Sequence, residues 1–528
     1  MTLKRSRHRL AAFIKAQAGM NAPKKSRKTA VLIISPETGR LPKKMSPLAR
    51  YISGKSGGLG EVVAALCEGL TLRGIECHLA TINLKMRFQQ ESNLDDNSWH
   101  HIRHRIDAKR IHLVNSSVFA HLPSAYAGNP LQNAAEFQKE IVNHIMVNLQ
   151  AKHAGNLIIH SHDWMAGGAI TAYAKFRGFP VLHTVHNIHT GQLPLEMLFG
   201  VEWERLTPYL YFSHDNSGKS CIDSHATAIK NANLVNFVGQ QFLQELVDDQ
   251  FCNTTICLPS VRQEIRAKHE YGATLAILNA PSPILYPENC THLIRRFGPD
   301  DDILAAKREN LVEFQKSTGL QVNPEAILLY WPSRLDPLQK GVQLLEDIAH
   351  RFVIAHDNTQ IAIVGDGVGN DRTHEEICGR IAWSSGRSIV YHHFNESLSM
   401  QGFAAASVVF GASLYEPCGQ IDQIGNLFGA IAVNRDTGGY HDKIQELRLA
   451  IDGAPQDEGN GFLFRDYDSG GLWYGLSKGV EFCQRPLEVR QTQLKRIMKE
   501  SRTKYDVNTM VDEYVRVYER LNGDRALV

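Results

Sequence analysis

Long apolar runs are missing from this chain, and so are cysteines at metal or disulfide spacing. No segment is long enough to span a bilayer. The only apolar run in the first 28 residues, Leu10 to Ile14, is too short for a secretory signal. Nine cysteines are scattered through the sequence. Cys252 and Cys257 stand close together, but no second close pair completes a zinc pattern, so the set reads as reduced thiols of a cytoplasmic protein with no structural metal. Charge of one sign is scarce as well. A net charge of +2 gives no reason to expect nucleic acid as a partner. The exception is local: Lys4, Arg5, Arg7, Arg9, Lys15, Lys24, Lys25, Arg27 and Lys28 have no acidic neighbour, and residues 1–28 read as a basic, flexible tail.

What is present fits a soluble globular protein of more than one core. A chain of 528 residues exceeds what one hydrophobic core usually holds, and 43% hydrophobic with 21% charged residues is ordinary. Short β-branched runs alternate with helical patterns. Expected strands include Ala30 to Ile34, Leu157 to Ile159, Val181 to Val185, Ala326 to Trp331, Ile361 to Val364, Ser388 to Tyr391, Val408 to Phe410 and Ile431 to Val433. Between them lie helical stretches such as Gly341 to Phe352, with Val342, Leu345, Ile348 and Phe352 on one stripe. This alternation implies an α/β protein of two doubly wound, Rossmann-like domains, with ligands at the carboxyl ends of the strands. Prolines 281, 283 and 287 mark a connector, giving domains at 29–280 and 301–504 around a linker at 281–300. Residues 505–528 hold an amphipathic terminal helix, expected to pack back on the first domain.

Several segments carry chemistry. Lys55-Ser56-Gly57-Gly58-Leu59-Gly60 follows a strand and opens a helical pattern, where glycines let backbone amides approach an anion. It is not a P-loop, because the lysine precedes the glycines. In the second half, Arg334 and Lys340 stand between a strand and a helix and suit a diphosphate, although a surface turn with ordinary charges accounts for them equally well. Gly365-Asp366-Gly367 fits a tight strand-to-helix turn as readily as a ligand loop. Glu416-Pro417-Cys418-Gly419 and Thr437-Gly438-Gly439 place a carboxylate beside exposed backbone donors, a pattern that reads sugar hydroxyls. Glu416 is also a plausible helix cap, and Cys418 reads as a packed thiol with no activating base. In the first half, His160-Ser161-His162-Asp163-Trp164 and His183-Thr184-Val185-His186-Asn187 end two strands. His160 and His162 share a side of their strand, as a metal hydrolase would require, whereas a hydrogen-bonded strand end explains the histidines without a metal.

Taken in order, these segments resemble the bacterial glycogen synthase and plant starch synthase family, retaining glucosyltransferases of the GT-B fold, over roughly residues 30 to 520. The family's Lys-Thr-Gly-Gly-Leu matches Lys55 to Leu59 with Ser for Thr. His-Asp-Trp matches His162 to Trp164, and Thr-Val-His-Asn matches Thr184 to Asn187. Ser-Arg-Leu…Gln-Lys-Gly matches Ser333 to Gly341, Glu-Pro-Cys-Gly matches Glu416 to Gly419, and Thr-Gly-Gly matches Thr437 to Gly439. The chain departs from the family in having one more residue between Arg334 and Lys340, Gln420-Ile421-Asp422 for Leu-Thr-Gln, Ile424 for a tyrosine, and a longer stretch between Ile34 and Lys55. The resemblance implies two domains facing a cleft, the first on the acceptor side and the second binding the donor. It implies transfer of α-glucose from ADP-glucose or UDP-glucose to the non-reducing end of an α-1,4-glucan, with no cofactor, nucleic acid or membrane. By the same resemblance His186, Arg334, Lys340, Glu416 and Asp163 carry catalysis. Lys55, Gly57, Gly58, Asn187, Gly365, Tyr391, Cys418, Gly419, Thr437, Gly438 and Gly439 line the substrates. A non-catalytic glucan-binding protein, or a GT-B transferase with another acceptor, shares the same motifs.

Overall fold

The computed structural model describes residues 29–54, 57–105, 108–153, 156–198, 200, 203–215, 217–251, 256–367 and 372–527. The basic tail, Lys55 and Cys252 therefore lie outside the described residues.

Among the described residues the first half builds ten strands: β1 (Ala30–Ile34), β2 (Glu76–Ile82), β3 (Ile111–Val114), β4 (Leu157–His162), β5 (Val181–Val185), β6 (Gln192–Pro194), β7 (Phe212–His214), β8 (Ser220–Asp223), β9 (Leu234–Phe237) and β10 (Thr274–Ala276). Seven of them form a parallel sheet in the order β10-β9-β5-β4-β1-β2-β3, while β6, β8 and β7 make a small antiparallel sheet. The second half adds β11 (Ile327–Pro332), β12 (Thr359–Val364), β13 (Ile389–His392), β14 (Val408–Gly411), β15 (Ile431–Arg435) and β16 (Gly461–Phe464), all parallel, in the order β13-β12-β11-β14-β15-β16. Every strand order reverses at its first strand, β1 or β11, which is the doubly wound arrangement and leaves a crevice at the carboxyl ends. β1 and β11 are apolar and buried because both faces of a parallel sheet are covered by helices.

Each parallel sheet has its own apolar core, and the small antiparallel sheet packs into the first. The connector carries only the short 3-10 turn Pro283–Leu285 among its described residues, and Cys290, Leu293 and Phe297 pack into the second core. The terminal helix Val507–Leu521 returns to the first domain. Its Val511 covers Gly69 of the helix Gly58–Leu72, where a Cβ would lie 2.4 Å from a valine methyl. Tyr518 and Tyr514 bond His160 and Asn236 of the first sheet at 2.7 and 3.0 Å.

Two expectations need adjusting. The helix after the glycine loop begins at Gly58 rather than Glu61, because Gly57 is already extended and serves as its cap. β2, β3, β6 to β10 and β16 lie outside the expected strands, and β2 and β3 are not apolar throughout: polar residues such as Glu76, His78 and His112 interrupt them.

Candidate active site

The loops that follow β11 and β14 are strapped together before any ligand arrives. Asp336 caps the first loop by accepting from the amides of Leu338 and Gln339 at 2.9 and 3.0 Å. Gln339 then ties across: its carbonyl accepts from Leu414 N at 2.7 Å, and its side-chain amide donates to Tyr415 O at 3.2 Å. Gly341 must be glycine here, since its φ is +72° and a Cβ would meet Ala412 O at 2.3 Å. The strapping brings Lys340 Nζ to Glu416 Oε2 at 2.5 Å, with the Ser413 hydroxyl donating to the same oxygen at 2.9 Å.

Glu416 is buried, which by itself raises its pKa. Lys340, Ser413 and Lys443 outweigh that and hold the carboxyl below its ordinary value. The turn behind it is fixed from the other side. Gly439 N donates to Glu416 O at 2.8 Å, and a Cβ on Gly438 (φ +45°) would lie 1.9 Å from that carbonyl. Lys443 donates to Gly419 O and pairs with Asp422 at 2.7 Å. Arg334, Lys340, Ser413, Glu416, Gly419 and Gln420 line a small pocket of about 100 Å³. Gly365 belongs to the neighbouring turn, so close to Ser333 O that no Cβ fits, and its carbonyl accepts from the Tyr391 hydroxyl at 3.2 Å.

The first domain supplies the facing wall. Asp163 sits after β4 in the left-handed region (φ +54°) and accepts from the amides of His186 and Asn187 at 2.6 and 3.1 Å. Burial raises its pKa to about 7, the two amides only partly opposing it, and the nearby Glu37 adding to it. His186 meets His162 at 2.9 Å between ring nitrogens, and burial lowers its pKa to about 3, so it is neutral. Asn187 folds its side chain onto Ile188 N. Gly57 N donates to Glu37 Oε2 at 3.1 Å, and Glu37 also accepts from the Tyr126 hydroxyl at 3.3 Å.

The two walls touch. A Cβ on Gly58 would lie 2.8 Å from Gln420 Oε1, so the helix start and the Glu416 turn face each other directly. Tyr415, although carried by the second domain, is fully buried in the first domain's core between Phe242 and Phe251. Glu245 reaches over to accept from Thr437 Oγ1 and from Gly438 N at 2.8 Å.

Of the residues singled out from sequence, the structure gathers Arg334, Lys340, Glu416, Gly419 and Gly58 around one cleft, with Asp163, His186 and Asn187 joined by hydrogen bonds on its first-domain side. It commits Thr437 and Gly438 to Glu245, and burial raises the Cys418 thiol to about 11, which keeps it protonated and unsuited to attack. The metal-hydrolase reading fails: both ring nitrogens of His160 are taken, by Tyr518 and Thr184, and the ring is buried. Sequence reasoning missed Glu37, Ser413, Lys443 and Glu245. Ser413 had a local signal in its spacing from Glu416; the others had none. Near Gly365, Asp366, Glu375 and His393 are close enough to share a cation, but Glu375 is already held by Arg372 at 2.6 and 2.8 Å and by Gly367 N.

Comparisons with known proteins agree with this geometry. A family model described as the starch synthase catalytic domain matches residues 44–255. A glycogen synthase of Bacillus licheniformis is 25% identical over 499 residues, covering 88% of this chain and 95% of its own. One from Pseudothermotoga lettingae is 28% identical over 69% of this chain and 71% of its own. Among solved structures, the catalytic domain of starch synthase IV from Arabidopsis thaliana, bound to ADP and acarbose, superposes with a TM-score of 0.69 at 19% identity, over 92% of this chain and all of that one. Anabaena HepE with UDP and glucose gives 0.52 at 14%, over 93% and 100%. With two doubly wound domains closing on one cleft, and with relatives matched along most of its length, the chain is similar to bacterial glycogen synthases and, over residues 44–255, to the starch synthase catalytic domain, and it has the GT-B fold.

Proposed function

We propose that this protein transfers α-glucose from a nucleotide-diphosphate glucose to the non-reducing end of an α-1,4-glucan, with retention of configuration. The observation that carries the proposal is the Lys340–Glu416–Ser413 cluster, which shares a pocket with Arg334 and faces the glycine-led helix start across the cleft. The chemical problem is negative charge developing on the departing diphosphate as the sugar becomes cationic. Lys340 and Arg334 receive that charge, joined by the backbone amide at Gly58 and by Lys55, whereas the Gly57 amide is taken by Glu37. A group fixed in place, as Lys340 is by Glu416, needs little reorganisation and contributes on the order of 3 kcal/mol to such a transition state.

Glu416 holds ring hydroxyls of the transferred glucose, helped by the Cys418 and Gly419 amides, and its ionised state suits an acceptor of hydroxyl protons. His186 positions the sugar, and Asp163 orients His186 through its backbone amide. Among the described residues, no side chain in the cleft is an activated nucleophile, which favours displacement on one face of the sugar over a covalent intermediate. Gly365 and Tyr391 border the nucleotide end. Assaying nucleotide release with ADP-glucose and UDP-glucose, each with glycogen, tests the reading and picks the donor. Release with either donor and incorporation of glucose into glycogen are expected. Glycogen binding without turnover of either donor would instead mark a non-catalytic glucan binder, and turnover only with small acceptors would mark another transferase.

A further inference from the structure

At the opposite end of the first sheet from the cleft, two strands and a helix end bring histidines together around a carboxylate. Glu76 opens β2 and His78 follows two residues later, so both side chains leave the same face of the sheet. His112 on β3 sits in the register opposite Ala80, and so also on that face. His153 ends the helix Met146–His153 that leads into β4. Neither Glu76, His78 nor His153 has a role in glucosyl transfer.

We propose that Glu76, His78 and His153 form a binding site for a divalent transition-metal ion of the zinc type, with His112 as a positioning residue behind His78. Glu76 Oε1 lies 3.3 Å from His78 Nε2 and 3.7 Å from His153 Nε2, and one ligand atom from each of the three lies within 4.8 Å of the others. Tetrahedral zinc, with bonds of 2.0–2.2 Å to nitrogen and oxygen, spaces its ligands about 3.3 Å apart, so only small side-chain shifts are required. Both histidines are more than nine-tenths buried, while Glu76 is partly open and leaves a side for water as fourth ligand. The backing is of the kind metal-bound histidines need: His78 Nδ1 lies 3.0 Å from His112 Nε2, so a proton on Nδ1 donates to His112 and leaves Nε2 free to ligate. The Lys152 ammonium lies 3.6 Å from Glu76 Oε1 and is more than half exposed, so an entering cation can displace it.

The site would clamp the outer strands β2 and β3 to the helix before β4, a structural rather than a catalytic use. Untagged full-length protein, stripped with chelator, is titrated with Zn²⁺ by calorimetry and with Co²⁺ by visible absorption. One ion per chain is expected, with a rise in melting temperature. Glu76→Gln and His153→Ala should each abolish binding, and His112→Ala should weaken it about 10–100-fold. Failure of the unmodified protein to bind either ion would overturn the proposal whatever the variants do. So would stoichiometric binding that survives both Glu76→Gln and His153→Ala.

Discussion

Two lysine–carboxylate pairs flank the turn from Glu416 to Gly419, built from the same chemical groups at nearly the same distance. Lys340–Glu416 measures 2.5 Å and keeps a slight opening to the cleft, its side chains 13% and 8% exposed. Lys443–Asp422 measures 2.7 Å and is sealed completely. Their carboxyls respond in opposite directions. Burial raises both, but Glu416 also has Ser413 and a second lysine nearby and ends below its ordinary value, whereas burial of Asp422 prevails over Lys443. An ion pair at the rim of a cleft keeps a charge available to a substrate. A sealed pair spends both charges on holding a turn, here with Lys443 also bound to Gly419 O. Asp422 is one of the departures from the family's Leu-Thr-Gln, and the structure accounts for it: the carboxylate has a lysine of its own.

The largest expected effect separates the two pairs directly. Lys340→Ala should lower kcat about 10²–10³-fold with the fold retained, measured by nucleotide release and circular dichroism. Near-normal turnover would remove Lys340 from the diphosphate site. Lys443→Ala should do the reverse in kind, costing about 3–5 kcal/mol of stability by leaving Asp422 unpaired in the interior. Denaturant titration reads this. Replacing both residues by apolar ones of similar volume should restore most of the loss, because the pair's own desolvation cost disappears with it. If the double replacement is no more stable than Lys443→Ala, the pair is more than a turn support.

The facing wall gives a pH test. Asp163 keeps its proton to about pH 7 in the folded protein, while an unfolded aspartate loses it near pH 4. Between those values the folded state binds more protons, so the contribution of Asp163 makes stability fall as pH rises. Asp163→Asn should flatten melting temperature against pH in that window; an unaltered profile would mean that Asp163 is ionised throughout. The smallest effect is expected at Gln420, which faces Gly58 across the cleft. Gln420→Leu, the residue of the family pattern, should change KM for the donor a few-fold and leave kcat close to its starting value. A large fall in kcat would give Gln420 a place in the chemistry.

Much of the fold was legible because parallel strands buried on both faces leave short apolar runs, as at β1, β11 and β14. The strands that escaped notice, such as β2 with Glu76 and His78, carry polar residues where the sheet edge meets other side chains. For the site, the order of Lys55, His162, Arg334, Glu416 and Thr437 along the chain sufficed to suggest the cleft. It could not show that Thr437 and Gly438 are occupied by Glu245, 192 and 193 residues away. Nor could it show that Tyr415, next to the candidate glutamate, anchors its loop in the other domain's core. A tyrosine in a loop has the same local pattern whether it points to solvent or into a neighbour.

The sequence by itself determined the alternation of strands and helices, the two-domain division and the ordered motifs, because these depend on residue type and short-range spacing. Only the tertiary structure decided which charges meet. It paired Lys340 with Glu416 and Lys443 with Asp422, set Glu37 on the Gly57 amide, and gathered Glu76, His78, His112 and His153. Such contacts join residues from different strands and loops, and their worth depends on exclusion of water, which exists only once the sheets and helices have closed around them.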